Sequence, residues 1–387
     1  MNILHISPYV PSIHANHAGG VCMGKEVETL KEKHNVFVLS FINDEKEQKI
    51  VQEEYDKTNS LFIKSTTFTK AVNAILHPWR PLYFSIRSSY TFKKSLKEII
   101  EKKSIDAIHA EFTSMGQFIW IKKRFPNISF TLVEHDVTKQ SYDRQVEDTK
   151  GVKKLFYSIQ AYLVKCCEEK YCNLANHVLT LNEKDKGLLE NYYNLKKVET
   201  IVPFYGLDFN KVERKTEKKK NSICFIGNMS RKENDIAAKR LIGICSKLSN
   251  QDFNLSIIGA YPSDELLKME SDKVHITGFV DVIDDEILKH EIAVFPLTLG
   301  AGIKLKVLLA CGLGLPVVTS HVGAEGIDEE GDVLFLAETD DDFLRSIELL
   351  INNPDLRKER AMQSKKFILT KFSWDKTKKI FNSIYNR

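Results

Sequence analysis

Strand-length apolar runs rich in Ile, Val and Phe recur along this chain with helix-period segments between them, and the pattern runs twice. The first series is Ile3 to Ile6, Val36 to Phe41, Ala107 to His109, Ser129 to Val133, His177 to Leu181 and Val198 to Val202. The second is Ile223 to Ile226, Leu255 to Ile258, Val274 to Ile276, Ile292 to Phe295, Pro316 to Thr319 and Val333 to Leu336. Runs that are apolar on both faces and spaced by helices indicate parallel sheets covered on both sides. Between the two series lies KVERKTEKKKN, a lysine-heavy stretch with nothing to bury. The expectation is an α/β chain of two doubly wound domains, residues 1–205 and 206–373. At 387 residues, 43% of them hydrophobic, the chain has material for two cores, since single cores rarely grow past roughly 250–300 residues. Such sheets take ligands at the carboxyl ends of their strands, so two facing domains are expected to share a central cleft. The last segment, Ser373-Trp374-Asp375 and the helical stretch 374–387, either packs back on the first domain or closes the second.

Charge and cysteine usage narrow the class. Fifty-six Lys and Arg against 52 Asp and Glu leave +4, too mild for nucleic acid, yet compatible with an anionic small ligand or an acidic membrane surface. Seven cysteines, an odd number without metal-type pairing among Cys166, Cys167 and Cys172, fit reduced structural thiols in a cytoplasmic protein. The opening MNILHIS reads as a buried strand, and neither a signal-type leader nor an apolar run near membrane-spanning length is expected.

The chemistry gathers where glycines meet helix entrances. In FPLTLGAGIKLKVLLACGLGLPVVTS, Gly300, Ala301, Gly302 and Ile303 precede Lys304 and Lys306 at the mouth of a helix. Glycine lets backbone approach a ligand closely, and a helix start offers N–H groups to an anion, so a phosphate held by backbone and ammonium together fits this order of parts. In FIGNMSRKEND, Gly227, Asn228 and Ser230 offer donors toward a diphosphate, with Arg231 as a bidentate partner or a solvated charge. Gly259 and the run Gly278, Phe279, Val280, Asp281 stand where a planar base could rest on strand-end backbone, and Glu325 is a candidate partner for ribose or sugar hydroxyls. In the first half, Gly19 and Gly20 precede the helical VCMGKEVETL, while His109 and Glu111 end one strand and Glu134, His135 and Asp136 end the next. Strand-end imidazoles can take a proton or hydrogen-bond a hydroxyl, and His135 ranks above His109 because flanking carboxylates can fix its tautomer.

Taken together, the first GG, HITGFVD, GAGIKLKVLLACGLGLPVV, GAEGI and the terminal FSWDKT resemble the GT-B retaining glycosyltransferases of family 4 over nearly the whole chain, most specifically between about Val274 and Ile327. The resemblance implies two Rossmann-like domains, with a nucleotide-diphosphate sugar, UDP- or GDP-type, held by the C-terminal one and an acceptor by the N-terminal one. It implies no metal or other cofactor. On it, Gly19 and Gly20 match the N-terminal glycine loop, His135 the catalytic-site histidine, and Lys304 and Lys306 the segment that meets the donor phosphates. One departure stands out. Many members carry two glutamates eight positions apart, and aligning on Leu315-Pro316-Val317-Val318 puts Ala301 and Leu309 there. A GxGIKxK branch dispenses with the first glutamate but usually keeps the second, which binds the ribose. An apolar Leu309 cannot accept from a ribose diol, at a cost on the order of 1.5–3 kcal/mol, and Glu325 is the nearest replacement.

These readings lead to metal-independent sugar transfer to a glycan or lipid-linked acceptor in surface polysaccharide or glycoconjugate synthesis, with His135 and Lys304 catalytic. Two alternatives stand beside it: an inactive relative acting as a partner subunit, and a nucleotide-sugar epimerase or hydrolase. The segment HPWRPLYFSIRSSYTFKKSLKEIIEKKS mixes aromatics with Lys and Arg. It suits either an anionic membrane surface or an amphipathic helix that packs its aromatics inward, and GVKKLFYSIQAYLVKC poses the same choice.

Overall fold

The computed structural model describes residues 1–15, 17–204, 217–300 and 302–386. They form two compact units. One comprises Met1–Phe204 with the C-terminal helix Trp374–Tyr385, and the other ends at Ser373. The junction expected at 205/206 lies outside the described residues, as does Ala301.

The first unit is built on seven parallel strands: β1 (Asn2–Ser7), β2 (Asn35–Ile42), β3 (Ser60–Lys64), β4 (Ala107–Glu111), β5 (Ser129–Glu134), β6 (His177–Thr180) and β7 (Val198–Thr200). Their order is β3-β2-β1-β4-β5-β6-β7, so the winding reverses between β1 and β4. β3 escapes an apolar-run reading because it is an edge strand with no fully buried residue. The central strands are buried throughout, and Phe92 stacks between Phe41 at 4.7 Å and Phe118 at 4.5 Å beneath them. The C-terminal helix belongs to this unit: Trp374 Nε1 donates to Thr29 Oγ1 at 3.0 Å, and Thr377 Oγ1 both accepts from Val202 N and donates to Val202 O at 2.9 Å.

The second unit has six parallel strands: β8 (Ser222–Ile226), β9 (Asn254–Ile258), β10 (Val274–Gly278), β11 (Ile292–Phe295), β12 (Val317–Thr319) and β13 (Phe335–Leu336). The order β10-β9-β8-β11-β12-β13 reverses between β8 and β11. In open sheets of this kind the strand that leaves each side of the reversal opens a crevice at its carboxyl end. Each unit therefore has one such place, after β1 and β4 in the first and after β8 and β11 in the second.

All seven cysteines are free thiols and five are buried, which agrees with a structural role. Among the described residues no helix is long and apolar enough to cross a membrane.

Candidate functional site

At the reversal of the second sheet, the segment after β8 turns through Gly227, Asn228 and Ser230 into the helix Lys232–Cys245. Close backbone packing shapes this turn. A Cβ on Gly259 would lie 1.8 Å from Gly227 O, and one on Gly227 would lie 2.9 Å from the Asn234 side chain, so both positions exclude any larger residue. Asn228 Oδ1 accepts from Ser230 N at 3.0 Å and Ser230 Oγ at 2.7 Å, and Asn234 Nδ2 donates to Asn228 O at 2.8 Å. Facing it, the segment after β11 carries Gly300 and Gly302 at φ of 118° and 69°, backbone that side-chain-bearing residues rarely adopt. Lys304 then caps the helix Leu305–Gly312, which no side chain caps.

Three cations converge on this crevice. Lys304 is buried, donates to Gly302 O, and lies 3.5 Å from the Glu325 carboxylate. Lys306 donates to Asn234 Oδ1 and sits over the Phe225 ring at 5.1 Å. Burial, with the charges of Lys304 and Arg231 adding to it and that of Glu233 opposing, brings the Lys306 ammonium down to about 7. Arg231 is exposed and lies 3.6 Å from Glu233. A buried lysine that is pushed toward its neutral form, as Lys306 is, stands where a bound anion would restore its charge. Gly278, at φ 65° with open space around it, ends β10, Val280 is half-buried, and Phe279 is exposed beside them. Ile303 is half-buried next to Lys304. Glu325, expected to replace a ribose-binding glutamate, follows the short helix His321–Ala324 and is buried beside Lys304. Leu309 is buried in the Leu305–Gly312 helix. The expectation missed Asn234 and Phe225, whose only trace in the sequence is their position flanking the glycine turn.

At the reversal of the first sheet a different chemistry is assembled. His5 of β1 and His109 of β4 are lateral partners in register, and Glu111 lies two residues on from His109, so all three point to one face. Glu26, from the helix Ala18–Lys31, and Tyr385, from the C-terminal helix, cover that face. His109 Nε2 meets Glu26 Oε2 at 2.9 Å and Glu111 Oε1 at 3.1 Å, while its Nδ1 meets Tyr385 OH at 2.7 Å. His5 Nε2 lies 3.1 Å from Glu111 Oε1, and His135 Nε2 lies 2.7 Å from Glu111 Oε2. Burial alone would raise the Glu111 carboxyl, but bonds from His109, His135 and His5 hold it well below the usual carboxylate range. Burial and the Glu111 charge push Glu26 up to about 8. Burial lowers His5, whereas His109 is carried above its ordinary value against its own burial by Tyr385, Glu111 and Glu26. The arrangement thus favours the charged forms of His109 and Glu111 and the neutral forms of Glu26 and His5. This charge-balanced cluster could sit in a core. Ligating atoms of His5, His109 and Glu111 lie within 4.8 Å of one another, at separations that hydrogen bonds already account for.

Several expectations for this unit are corrected. His109 and Glu111 do not face an open crevice: β4 runs on to Glu111, and both side chains are fully buried. The carboxylate that holds His135 is Glu111 on the neighbouring strand. Adjacent Glu134 points to the opposite face, as strand alternation requires, and accepts from Thr113. Gly19 and Gly20 lie within the first turn of the helix, not ahead of it. There His17 Nδ1 accepts from Gly20 N at 3.0 Å, and a Cβ on Gly19 would press to 2.8 Å of Phe112. Phe112, at φ 65°, stacks on His135 with ring centres 3.8 Å apart and 8° between planes. Tyr9 packs on Phe112 and His17, and its hydroxyl accepts from Arg87 Nη2 at 2.8 Å. Phe112, Tyr9 and Arg87 were not expected. Phe112 had a signal, since it directly follows the strand-end Glu111.

Comparison with known proteins agrees with this geometry. Residues 220–353, which contain the cationic crevice, match the family described as Glycosyl transferases group 1. An uncharacterized glycosyltransferase of Methanocaldococcus jannaschii is 27% identical over 290 residues, 70% of this chain and 71% of that protein. Among solved structures, a sucrose-phosphate synthase from Thermosynechococcus elongatus aligns over 100% of this chain and 98% of its own with TM-score 0.73 at 14% identity. HepE of Anabaena, solved in complex with UDP, aligns over 100% of both chains with TM-score 0.71 at 12% identity. The chain therefore has the two-sheet α/β fold of its GT-B structural neighbours and is similar to the group 1 glycosyl transferases over residues 220–353, and glycosyl transfer is the class of enzyme activity that these likenesses support.

Proposed function

We propose that this protein transfers a sugar, with retention and without a divalent metal, from a nucleotide-diphosphate sugar to a glycan or lipid-linked acceptor of surface polysaccharide or glycoconjugate synthesis. The observation that carries this reading is the meeting of Lys304, Lys306 and Arg231 around two glycine turns at the sheet reversal of the second unit. Cleaving a sugar–phosphate bond leaves negative charge on the departing diphosphate, and preorganised cations that match it in the transition state lower the barrier. Lys304 is held by a carbonyl and the Glu325 carboxylate, and Lys306 by a neutral amide, so a bound diphosphate would supply the counter-charge that Lys306 lacks. That Anabaena HepE binds UDP supports a uridine donor. His135, fixed by Glu111 behind it and Phe112 on its face, serves the acceptor side. Calorimetric titration with UDP and GDP, followed by turnover of the matching nucleotide sugars, tests the reading. Binding of neither nucleotide would remove it.

A further inference from the structure

The helix Thr67–Leu76 buries none of its side chains, although it is apolar along one side. Phe68, Ile75, Leu76 and, just beyond, Trp79 are between 59% and 77% exposed. The turn that follows is joined to the long helix Gly151–Leu174 in the same unit: Leu82 N donates to Gln160 Oε1 at 2.7 Å, and Phe84 meets Tyr171 edge-on at 5.5 Å. The first half of that long helix also turns an apolar stripe outward. Val152, Leu155, Phe156, Ile159 and Tyr162, at spacings of three and four, are 47% to 86% exposed, while Gln160, Ala161 and Val164 face the core. The segment 77–104 does both things that its sequence allowed: Phe84 and Phe92 pack inward, whereas Trp79 and Tyr90 stay exposed.

Charge selects the occupant. From Lys57 to Lys97 there are eight Lys and Arg and no Asp or Glu, and from Thr149 to Cys167 four Lys and again no carboxylate. Twelve cations in two segments, within a chain whose whole excess is +4, leave the remainder net acidic. Several of these cations border the stripe, among them Lys153 and Lys154, with Lys70 and Arg80 half-buried beside the first helix. A protein partner would call for mixed polar groups at its rim. Exposed aromatic and aliphatic side chains with lysines among them, on helices that lie along the surface, suit the headgroup region of an anionic bilayer. We propose that this face, the helix Thr67–Leu76 with the outer stripe of residues 152–162, docks on an anionic lipid surface, the apolar side chains entering it and the lysines pairing with lipid phosphates. The proposal does not depend on the donor site.

Sedimentation of the full chain with vesicles tests it. The protein is expected to pellet with phosphatidylcholine containing about one-third phosphatidylglycerol and to stay in solution with phosphatidylcholine alone. Raising salt to about 0.5 M should release it, because screening shortens the reach of surface charge. Phe68→Ser with Ile75→Ser and Trp79→Ser should lower partitioning about tenfold or more, and Lys153→Gln with Lys154→Gln about fivefold per cation. A vesicle-induced blue shift of tryptophan emission should vanish in Trp79→Phe. UDP titration of each variant serves as the folding control and reports separately on the donor reading. Equal binding to neutral and anionic vesicles, binding to neither, or a dimer that the serine variants convert to monomer would each overturn the proposal.

Discussion

The two sheet reversals of this molecule hold charge in opposite ways. In the first unit, His5, Glu26, His109, Glu111, His135 and Tyr385 answer one another in a closed and largely buried network. In the second, Lys304 leans on a carbonyl and on the Glu325 carboxylate, Lys306 leans on a neutral amide, and Lys306 has no ion pair within 4 Å among the described residues. A buried charge that is balanced internally serves positioning, whereas one left with neutral partners is poised for a ligand that brings the counter-charge. Loss of a charge from the first site should therefore cost the fold, and loss from the second should cost the reaction.

The largest expected effect is that of Lys304→Ala, which should reduce kcat by about 10²-fold or more in a nucleotide-sugar turnover assay, beyond any stability lost where Glu325 gives up its cation. Glu111→Ala should act first on stability, and on kcat only through the loosened His135. Removing the shared acceptor of three imidazoles is expected to cost about 3–5 kcal/mol in denaturant unfolding. If the two variants trade places, the contrast between the sites is wrong.

A protonation experiment sharpens the same contrast. An ammonium whose ordinary value lies near 10.4 and which is held at about 7 is mostly neutral at pH 8, and a bound diphosphate favours its charged form. Nucleotide binding at that pH should take up protons, and affinity should fall as pH rises through 7. Titrations in buffers of different ionisation enthalpy measure the uptake, which Lys306→Met should abolish. The smallest effect belongs to Glu26. Its folded value of about 8 exceeds the unfolded one, so the native state keeps a proton that the unfolded chain has released. That contribution is complete below the unfolded value, near 4.3, and is lost as pH climbs to 8. Melting temperature followed across this range should decline more steeply in the parent than in Glu26→Gln, which carries no ionisable group there.

Much of this was legible in the order of residues. The glycines and lysines of the 300–306 segment could be read from the sequence because each acts through local backbone, and a φ of 118° at Gly300 is a local requirement. His135 was legible as a strand-end histidine, but not its partner. Glu134 and Asp136 adjoin it in sequence, while Glu111 reaches it across the β4–β5 pairing. Glu325 misled in the same manner: its loop position is local, and its contact with Lys304 is not. The exposed stripe of residues 152–162 was visible as amphipathic composition and that of residues 68–76 was not, and which side faces solvent depends on what the rest of the unit covers.

By itself the sequence determined two parallel α/β sheets and the glycine-lined turns at their strand ends, because strand length, helix period and backbone freedom are properties of neighbouring residues. Only the tertiary structure settled which imidazole meets which carboxylate and which lysine loses its counter-charge. Those outcomes depend on lateral register, as between His5 and His109, and on helices such as Trp374–Tyr385 that return from far along the chain. Register and return are long-range contacts, chosen by the burial of the whole unit and by no short stretch within it.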